Sequence, residues 1–261
     1  MSRRNVGGTE LWVEQGGRTD GPLLLLMHGL SGTGAIWSGV RALAEERWPG
    51  RIVVPDMRGH GRSAHASAYG IANHAADMAA LIEGEAEVVL AGHSMGGLVG
   101  MLLASGWFGP APKVAIGIGV KVDWSADEHA GIAKLAAAPV RFFATEREAR
   151  ERFVLVTGLK GIADPVDDWT RTGVAEEDGG WPLAADNRAA AVAFSDTRDI
   201  WRAARAPVVL AAGKLDAMVP GDALRSLDPA GIVLPGLGHN AHVEAPETVW
   251  KLIADAAGAT K

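Results

Sequence analysis

Apolar residues along this chain fall into short runs separated by amphipathic stretches. Leu23-Leu24-Leu25-Leu26-Met27 is apolar at every position, which predicts a strand buried on both faces of a sheet. Arg51 to Pro55, Glu87 to Ala91 and Val114 to Val120 read as further buried strands. Helical stretches lie between them: Trp37 to Arg47, closed by Trp48-Pro49-Gly50; the Ala-rich Ile71 to Ile82; and Met95 to Ser105. Val6 to Glu14, broken by Gly7-Gly8, predicts a β-hairpin. Near the C-terminus come helix Asp199–Ala204, strand Pro207–Ala212, helix Gly221–Ser226, strand Gly231–Leu234 and a final helix. Strands and helices alternating at this spacing predict an α/β protein, doubly wound, with helices on both faces of a mostly parallel sheet.

The alternation fails from about Lys121 to Thr197, a stretch with helical segments and Gly-Gly-Trp-Pro turns but no strand pattern. It is read as a helical lid inserted between two core strands. The core then comprises residues 1–120 and 198–261, and the lid residues 121–197.

Composition narrows the function classes. The 261 residues carry 25 Lys and Arg against 31 Asp and Glu, a net charge of −6, so no broad basic footprint for nucleic acid or an anionic membrane is expected. With no cysteine there is no disulfide, thiolate metal site or cysteine nucleophile. The first residues, Met1 to Gly8, lack the apolar core of a signal peptide, and no apolar run reaches the ~18 residues of a membrane span, so the expected address is cytoplasmic.

The chemistry centres on Gly92-His93-Ser94-Met95-Gly96. In a chain with 34 glycines the Gly-x-Ser-x-Gly pattern alone carries little, but here a buried strand enters it and an Ala/Leu helix leaves it. So tight a strand-to-helix turn strains the serine backbone and holds the hydroxyl out at the carboxyl end of the sheet, with a helix N-terminus beneath it. A serine nucleophile needs a base. Among the eight histidines, His239 sits in a loop after the last predicted strand, at the same sheet edge; His242, three residues on, is its competitor. His93 is read as structural, its side chain turned away from Ser94. His28 ends a strand, His60 and His65 lie in a polar loop, and His74 and His129 are read as surface or packing residues. The acid that orients the base is assigned to Asp216, just past strand 207–212, with Asp123 as the alternative. Two backbone donors are expected for an oxyanion: the N–H of Met95, directly after the nucleophile, and that of Leu30, in the loop after the first buried strand.

With these residues in view, the chain resembles the α/β-hydrolase-fold superfamily from end to end. The resemblance rests on Met27-His28-Gly29-Leu30, on Asp56-Met57-Arg58-Gly59-His60-Gly61-Arg62-Ser63, on Gly92 to Gly97, and on Pro235 to Pro246 with Gly238-His239, Glu244 and Pro246. It implies an eight-stranded sheet with an antiparallel first strand, a helical cap after the sixth strand, the order Ser94, Asp216, His239 for nucleophile, acid and base, and a structural role for Asp56 to Ser63. A serine rather than aspartate nucleophile speaks against the dehalogenase and epoxide-hydrolase branches.

The expected activity is serine hydrolysis of a carboxylic ester or lactone through an acyl-enzyme, with no metal and no organic cofactor. C–C bond hydrolysis, a lyase or a perhydrolase on the same triad is the nearest alternative, and a receptor that senses a ligand without turnover is the alternative of another class. The partner expected is a small apolar substrate, with no nucleic acid and no membrane. The insertion holds Trp124, Phe142, Phe143, Phe153, Trp169, Trp181 and Phe194, above an even share of the aromatics. Of these, Trp124, Phe142, Phe143, Trp169 and Trp181 are candidates for an apolar pocket, against the alternative that a small lid needs aromatics simply to pack. Glu146 to Arg152 interleaves acids and arginines, which at helical spacing is mostly a solvated face, with a clamp for an anionic substrate as the alternative.

Overall fold

In the computed structural model, which describes residues 1–258, the apolar runs form the middle of one eight-stranded sheet. The first half of the chain gives β1 (Ser2–Val6), β2 (Thr9–Gly17), β3 (Leu23–Met27), α1 (Ser38–Arg47), β4 (Arg51–Pro55), α2 (Ile71–Leu81), β5 (Val88–His93), α3 (Met95–Leu103) and β6 (Val114–Ile118). The segment that follows holds α4 (Ala126–Ala136), β7 (Phe142–Phe143), α5 (Glu146–Val156) and β8 (Trp181–Pro182). The sheet is completed by α6 (Thr197–Ala203), β9 (Val208–Gly213), α7 (Gly221–Leu227), β10 (Ile232–Leu234), α8 (Ala241–Glu244) and α9 (Pro246–Ala257).

The strand order is β1-β2-β4-β3-β5-β6-β9-β10. Every pairing from β4 to β10 is parallel, whereas β2 runs antiparallel to both β1 and β4. The antiparallel strand is therefore the second in the chain, not the first. Gly7-Gly8 is too short a link for a crossover, so β1 and β2 must be antiparallel neighbours, and it is β2 that pairs with β4 and runs against it. Observed ends also differ from the sequence pattern by a residue or two. A 3₁₀ turn over Gly34–Trp37 precedes α1, and β6 stops at Ile118 rather than Val120.

Period-two alternation divides the core into two layers. Leu23, Leu25, Met27 and Leu90 pack on the face covered by α2 and α3, whereas Leu24, Leu26, Val89 and Ala91 pack on the face covered by α1 and α9. A run apolar at every position is what a strand between two helical layers requires.

The segment between β6 and β9 has its own small core. Ala149, Phe153 and Val154 of α5 pack with Leu159, Val174 and Ile36. The Thr145 hydroxyl accepts from the Glu148 N–H at 3.2 Å and Glu148 accepts from the Thr145 N–H at 3.1 Å, a capping box that starts α5. Contrary to the sequence pattern, this segment does contain strands: Phe142 pairs with Pro182 and Phe143 with Trp181. Two residues per strand are too few to display an alternation. No helix among the described residues is long and apolar enough to cross a membrane.

The approach of β9 to the loop after β10 leaves no room for a side chain at Gly213. A Cβ there would lie 2.2 Å from the carbonyl oxygens of both Leu237 and Gly238, whereas one at Gly131 in α4 would have no heavy atom within 4 Å. Gly213→Ala is expected to cost about 3 kcal/mol by overpacking. Gly131→Ala should add up to about 1 kcal/mol through helix propensity. Urea unfolding of the two variants checks the contrast.

Candidate active site

β5 ends at His93 and α3 begins at Met95, so the whole change of direction falls on Ser94. Its backbone sits at φ 48°, ψ −112°, and its N–H donates to the Ile118 carbonyl at 2.8 Å. The turn is this sharp because backbone meets backbone around it. A Cβ at Gly92 would lie 2.2 Å from the Gly96 carbonyl, and one at Gly96 would lie 2.4 Å from the Met27 carbonyl at the end of β3. Among the described residues only two non-glycine residues have positive φ, Ser94 and Ser31 at 62°, and both line one cavity. Such backbones cost on the order of 1–3 kcal/mol each and persist where the surroundings enforce them.

His239 stands in the loop after β10, against the end of β9. Lys214 N–H donates to the Leu234 carbonyl and Leu215 N–H to the Leu237 carbonyl, both at 2.8 Å, so the two loops are held together by backbone. Asp216 is fully buried at its side chain. Its Oδ1 accepts from the N–H groups of Met218 at 2.9 Å and Val219 at 3.2 Å, and its Oδ2 accepts from His239 Nδ1 at 2.8 Å. A carboxylate on Nδ1 fixes the proton there and leaves Nε2 as an acceptor. The imidazole is 19% exposed and lines the same cavity as Ser94. No hydrogen bond joins the Ser94 hydroxyl to that ring among the described residues, the looser geometry common in sites without substrate.

The two alternatives weighed from sequence lie elsewhere. Asp123 is exposed and gripped by Arg198 at 2.9 and 2.6 Å, which holds its carboxyl below the usual range. His242 is buried between the rings of Trp37 and His93, at centroid distances of 4.6 and 4.4 Å, with neither ring nitrogen hydrogen-bonded. His93 does not turn away from the site: it lines the cavity, and its Nε2 meets the His239 carbonyl at 3.0 Å. Its proximity to Ser94 in sequence hid that contact, which depends on a loop 146 residues later.

Leu30 and Met95 also line the cavity, and their backbone N–H groups donate to nothing among the described residues. Met95 is the first residue of α3, where N–H groups are unpaired by construction. The Leu30 loop is held from behind. The Met57 N–H donates to His28 Nε2 at 2.8 Å, so His28 carries its proton on Nδ1 and donates it to the Gly29 carbonyl at 2.8 Å. The Asp56 to Ser63 segment supports the same region: Asp56 accepts from the N–H of Gly34 at 2.8 Å and from Arg62 at 2.7 Å.

The cavity is about 630 Å³ and largely apolar, with Leu98, Val120, Leu155 and Val156 among its walls. Of the aromatic pocket candidates, Trp124 and Phe143 line it and the other three do not. Trp169 and Trp181 pack instead on the small core around Phe153, and Phe142 is exposed at the β7 edge. Phe194 stacks on His129 at 5.1 Å, outside the cavity. Trp169 and Trp181 are thus spent on the segment's own packing, and the walls are made by Trp124 and Phe143 together with aliphatic residues that no composition count would single out.

Five histidines, His28, His60, His74, His93 and His242, are buried. For His74 this corrects the surface alternative: it is fully buried on α2, its ring 6.3 Å from that of His60. Loss of water around the charged form lowers the pKa of all five, with neighbouring imidazoles adding to the effect at every one but His28, and brings His60 and His242 down to about 3.

Comparison with known proteins agrees with the fold. The profile of the alpha/beta hydrolase family matches residues 24–252, and the chain belongs to that family of hydrolytic enzymes. It is similar to the magnesium-chelatase 30 kDa subunit of Rhodobacter capsulatus, 35% identical over 126 residues, which cover 47% of this chain and 43% of that protein. It is also similar to lipase LipV of Mycobacterium tuberculosis, 37% identical over 98 residues (37% of this chain, 36% of that one). The putative carbamate hydrolase RutD of Variovorax paradoxus is 39% identical over 99 residues, 36% of each chain. The match thus spans less than half the length of each of these relatives. Among solved structures, E-2-(acetamidomethylene)succinate hydrolase superposes with a TM-score of 0.79 at 24% identity over 98% of both chains. The enol-lactonase of Burkholderia xenovorans LB400 gives 0.73 at 19% identity, over 98% of this chain and 100% of that one. These are likenesses of fold.

The buried imidazoles fix the sign of a pH effect. Between the ordinary histidine value of 6.5 and about 3, the unfolded chain binds protons that buried His60 and His242 do not. Their neutral burial is therefore without penalty above pH 6.5, and stability falls as pH drops through that window. His242→Phe removes one such group, and its unfolding free energy should fall by about 1.4 kcal/mol per pH unit less than the parent's below pH 6. Urea unfolding at pH 7, 6 and 5 measures the slopes; parallel slopes would mean that His242 is not kept neutral.

Proposed function

We propose that this hydrolase cleaves a carboxylic ester or lactone through an acyl-enzyme on Ser94, with His239 as base, Asp216 as its orienting acid, and the N–H groups of Leu30 and Met95 as oxyanion donors. The observation that carries the reading is the His239–Asp216 bond of 2.8 Å, with His239 opening onto the cavity that holds the strained Ser94 and two unpaired N–H groups. Each group then has one task. His239 Nε2 takes the serine proton as Oγ attacks the carbonyl, and returns it to the leaving alcohol; water repeats the cycle to release the acid. Asp216 keeps the imidazole in the tautomer that can accept and stabilises the imidazolium. Each oxyanion donor is worth about 3–4 kcal/mol in such a site.

The names of the relatives agree with this class, since a lipase, a carbamate hydrolase and an enol-lactonase all act on carbonyl derivatives. Residues 121–197 serve as the lid in this reading, because Trp124, Phe143, Leu155 and Val156 reach the cavity from that segment. The substrate is a small, predominantly apolar molecule, and the chemistry needs no metal or organic cofactor.

Steady-state rates on a short-chain p-nitrophenyl ester test the assignment. Ser94→Ala should lose activity by orders of magnitude while unfolding like the parent. His239→Ala should match it in severity, since the two act as a unit. Asp216→Asn should lower turnover about 10³–10⁴-fold through the wrong tautomer. Asp123→Asn should cost less than about tenfold, or ~1.4 kcal/mol. Near-parental activity in Ser94→Ala would remove the serine mechanism, and a larger loss at Asp123 than at Asp216 would move the acid.

A further inference from the structure

The charges that face the cavity are unbalanced. Four charged side chains line it: Lys121, Arg141, Arg152 and Asp186. Lys121 is paired with Glu128 at 2.5 Å, and Asp186 with Arg188 at 2.6 Å and the Tyr69 hydroxyl at 2.7 Å. Arg141 and Arg152 have no carboxylate partner among the described residues. On the same helix, Arg147 pairs with Glu151 at 3.0 Å and the part-buried Arg150 with Glu146 at 3.4 Å, whereas Arg152, at the cavity mouth, has no carboxylate partner among the described residues. Arg141 lies over the Phe143 ring at 4.7 Å, a placement that holds the guanidinium plane while leaving its N–H edge free. Two guanidinium groups without carboxylate partners beside an apolar cavity, in a chain of net charge −6, form a local attraction for an anion at that point. The exposed Leu135, Val140 and Leu155 share the rim with them.

We infer that the substrate is amphiphilic: an ester or lactone with an apolar body and a carboxylate, the carboxylate bound by Arg141 and Arg152 while the scissile carbonyl lies at Ser94. This specificity rests on the ester or lactone reading of the site, and the test separates the two. Monomethyl suberate and dimethyl suberate share a skeleton and differ in one carboxylate. Their binding to the Ser94→Ala protein, by calorimetry, is independent of turnover; their hydrolysis by the parent is not. The monoester should bind the Ser94→Ala protein at least tenfold more tightly in 50 mM salt, with the gap narrowing at 500 mM. Adding Arg141→Gln and Arg152→Gln should abolish the gap and leave diester binding unchanged, the diester serving as the control for folding. Discrimination in binding without hydrolysis by the parent would leave the anion site standing and remove the esterase reading. Equal binding of the two esters, binding of neither, or discrimination that survives loss of both arginines would overturn the anion site.

Discussion

The arrangement depends on one steric constraint, the contact of backbone with backbone where β5 turns into α3. Gly92 and Gly96 have no room for a Cβ, Gly96 because it rests on the carbonyl of Met27 at the end of β3. That contact sets two things at once. It forces Ser94 into a positive φ at the head of a helix, and it brings the β3 loop, with Leu30, alongside. The position of the proposed nucleophile and two unpaired N–H groups thus follow from one packing condition. On the far side, Gly213 plays a similar part, letting the β9 and β10 loops close until Asp216 and His239 meet.

Electrostatics divide the histidines by burial. The buried ones are dehydrated, which disfavours their charged form, and they pack ring against ring as in His93–His242 at 4.4 Å and His28–His60 at 5.0 Å. His239 differs in having a buried carboxylate on one nitrogen and the cavity on the other. In the proposed reaction this is the ring that takes up and returns the proton, whereas the buried rings serve as packing, His28 and His93 bonded to backbone carbonyls and His74 and His242 with no hydrogen bond among the described residues. Asn240, next along the chain, ties the same loop to the carbonyls of Thr157 and Gly158 at 3.1 and 3.2 Å, so the His239 loop and the end of α5 are mechanically joined.

Much of the sheet was legible because it is written in continuous apolar runs: Leu23 to Met27 needs both faces covered, and no other arrangement satisfies it. The serine turn was legible for a related reason, since glycines on both sides of a serine at a strand–helix junction reflect a close approach. The sequence favoured Asp216 over Asp123, but the Arg198 partner that occupies Asp123 was not legible, since it stands 75 residues away. Nor were the cavity walls. Trp169 and Trp181 read as pocket residues, yet their burial is used to pack α5 and its surroundings, and leucines and valines of no special pattern take the walls. The β7–β8 pair and the antiparallel direction of β2 depend on partners distant in sequence, which local pattern does not contain.

The central claim is that the strained serine is the group that becomes acylated. Its most direct measurement is covalent: reaction of the folded protein with an alkyl fluorophosphonate, followed by peptide mapping of the adduct. A single adduct on Ser94, formed by the folded protein and not by the urea-unfolded chain, is the predicted result, because only the native elbow couples that hydroxyl to a base and oxyanion donors. An adduct at another residue, or no adduct in the folded protein, would contradict it.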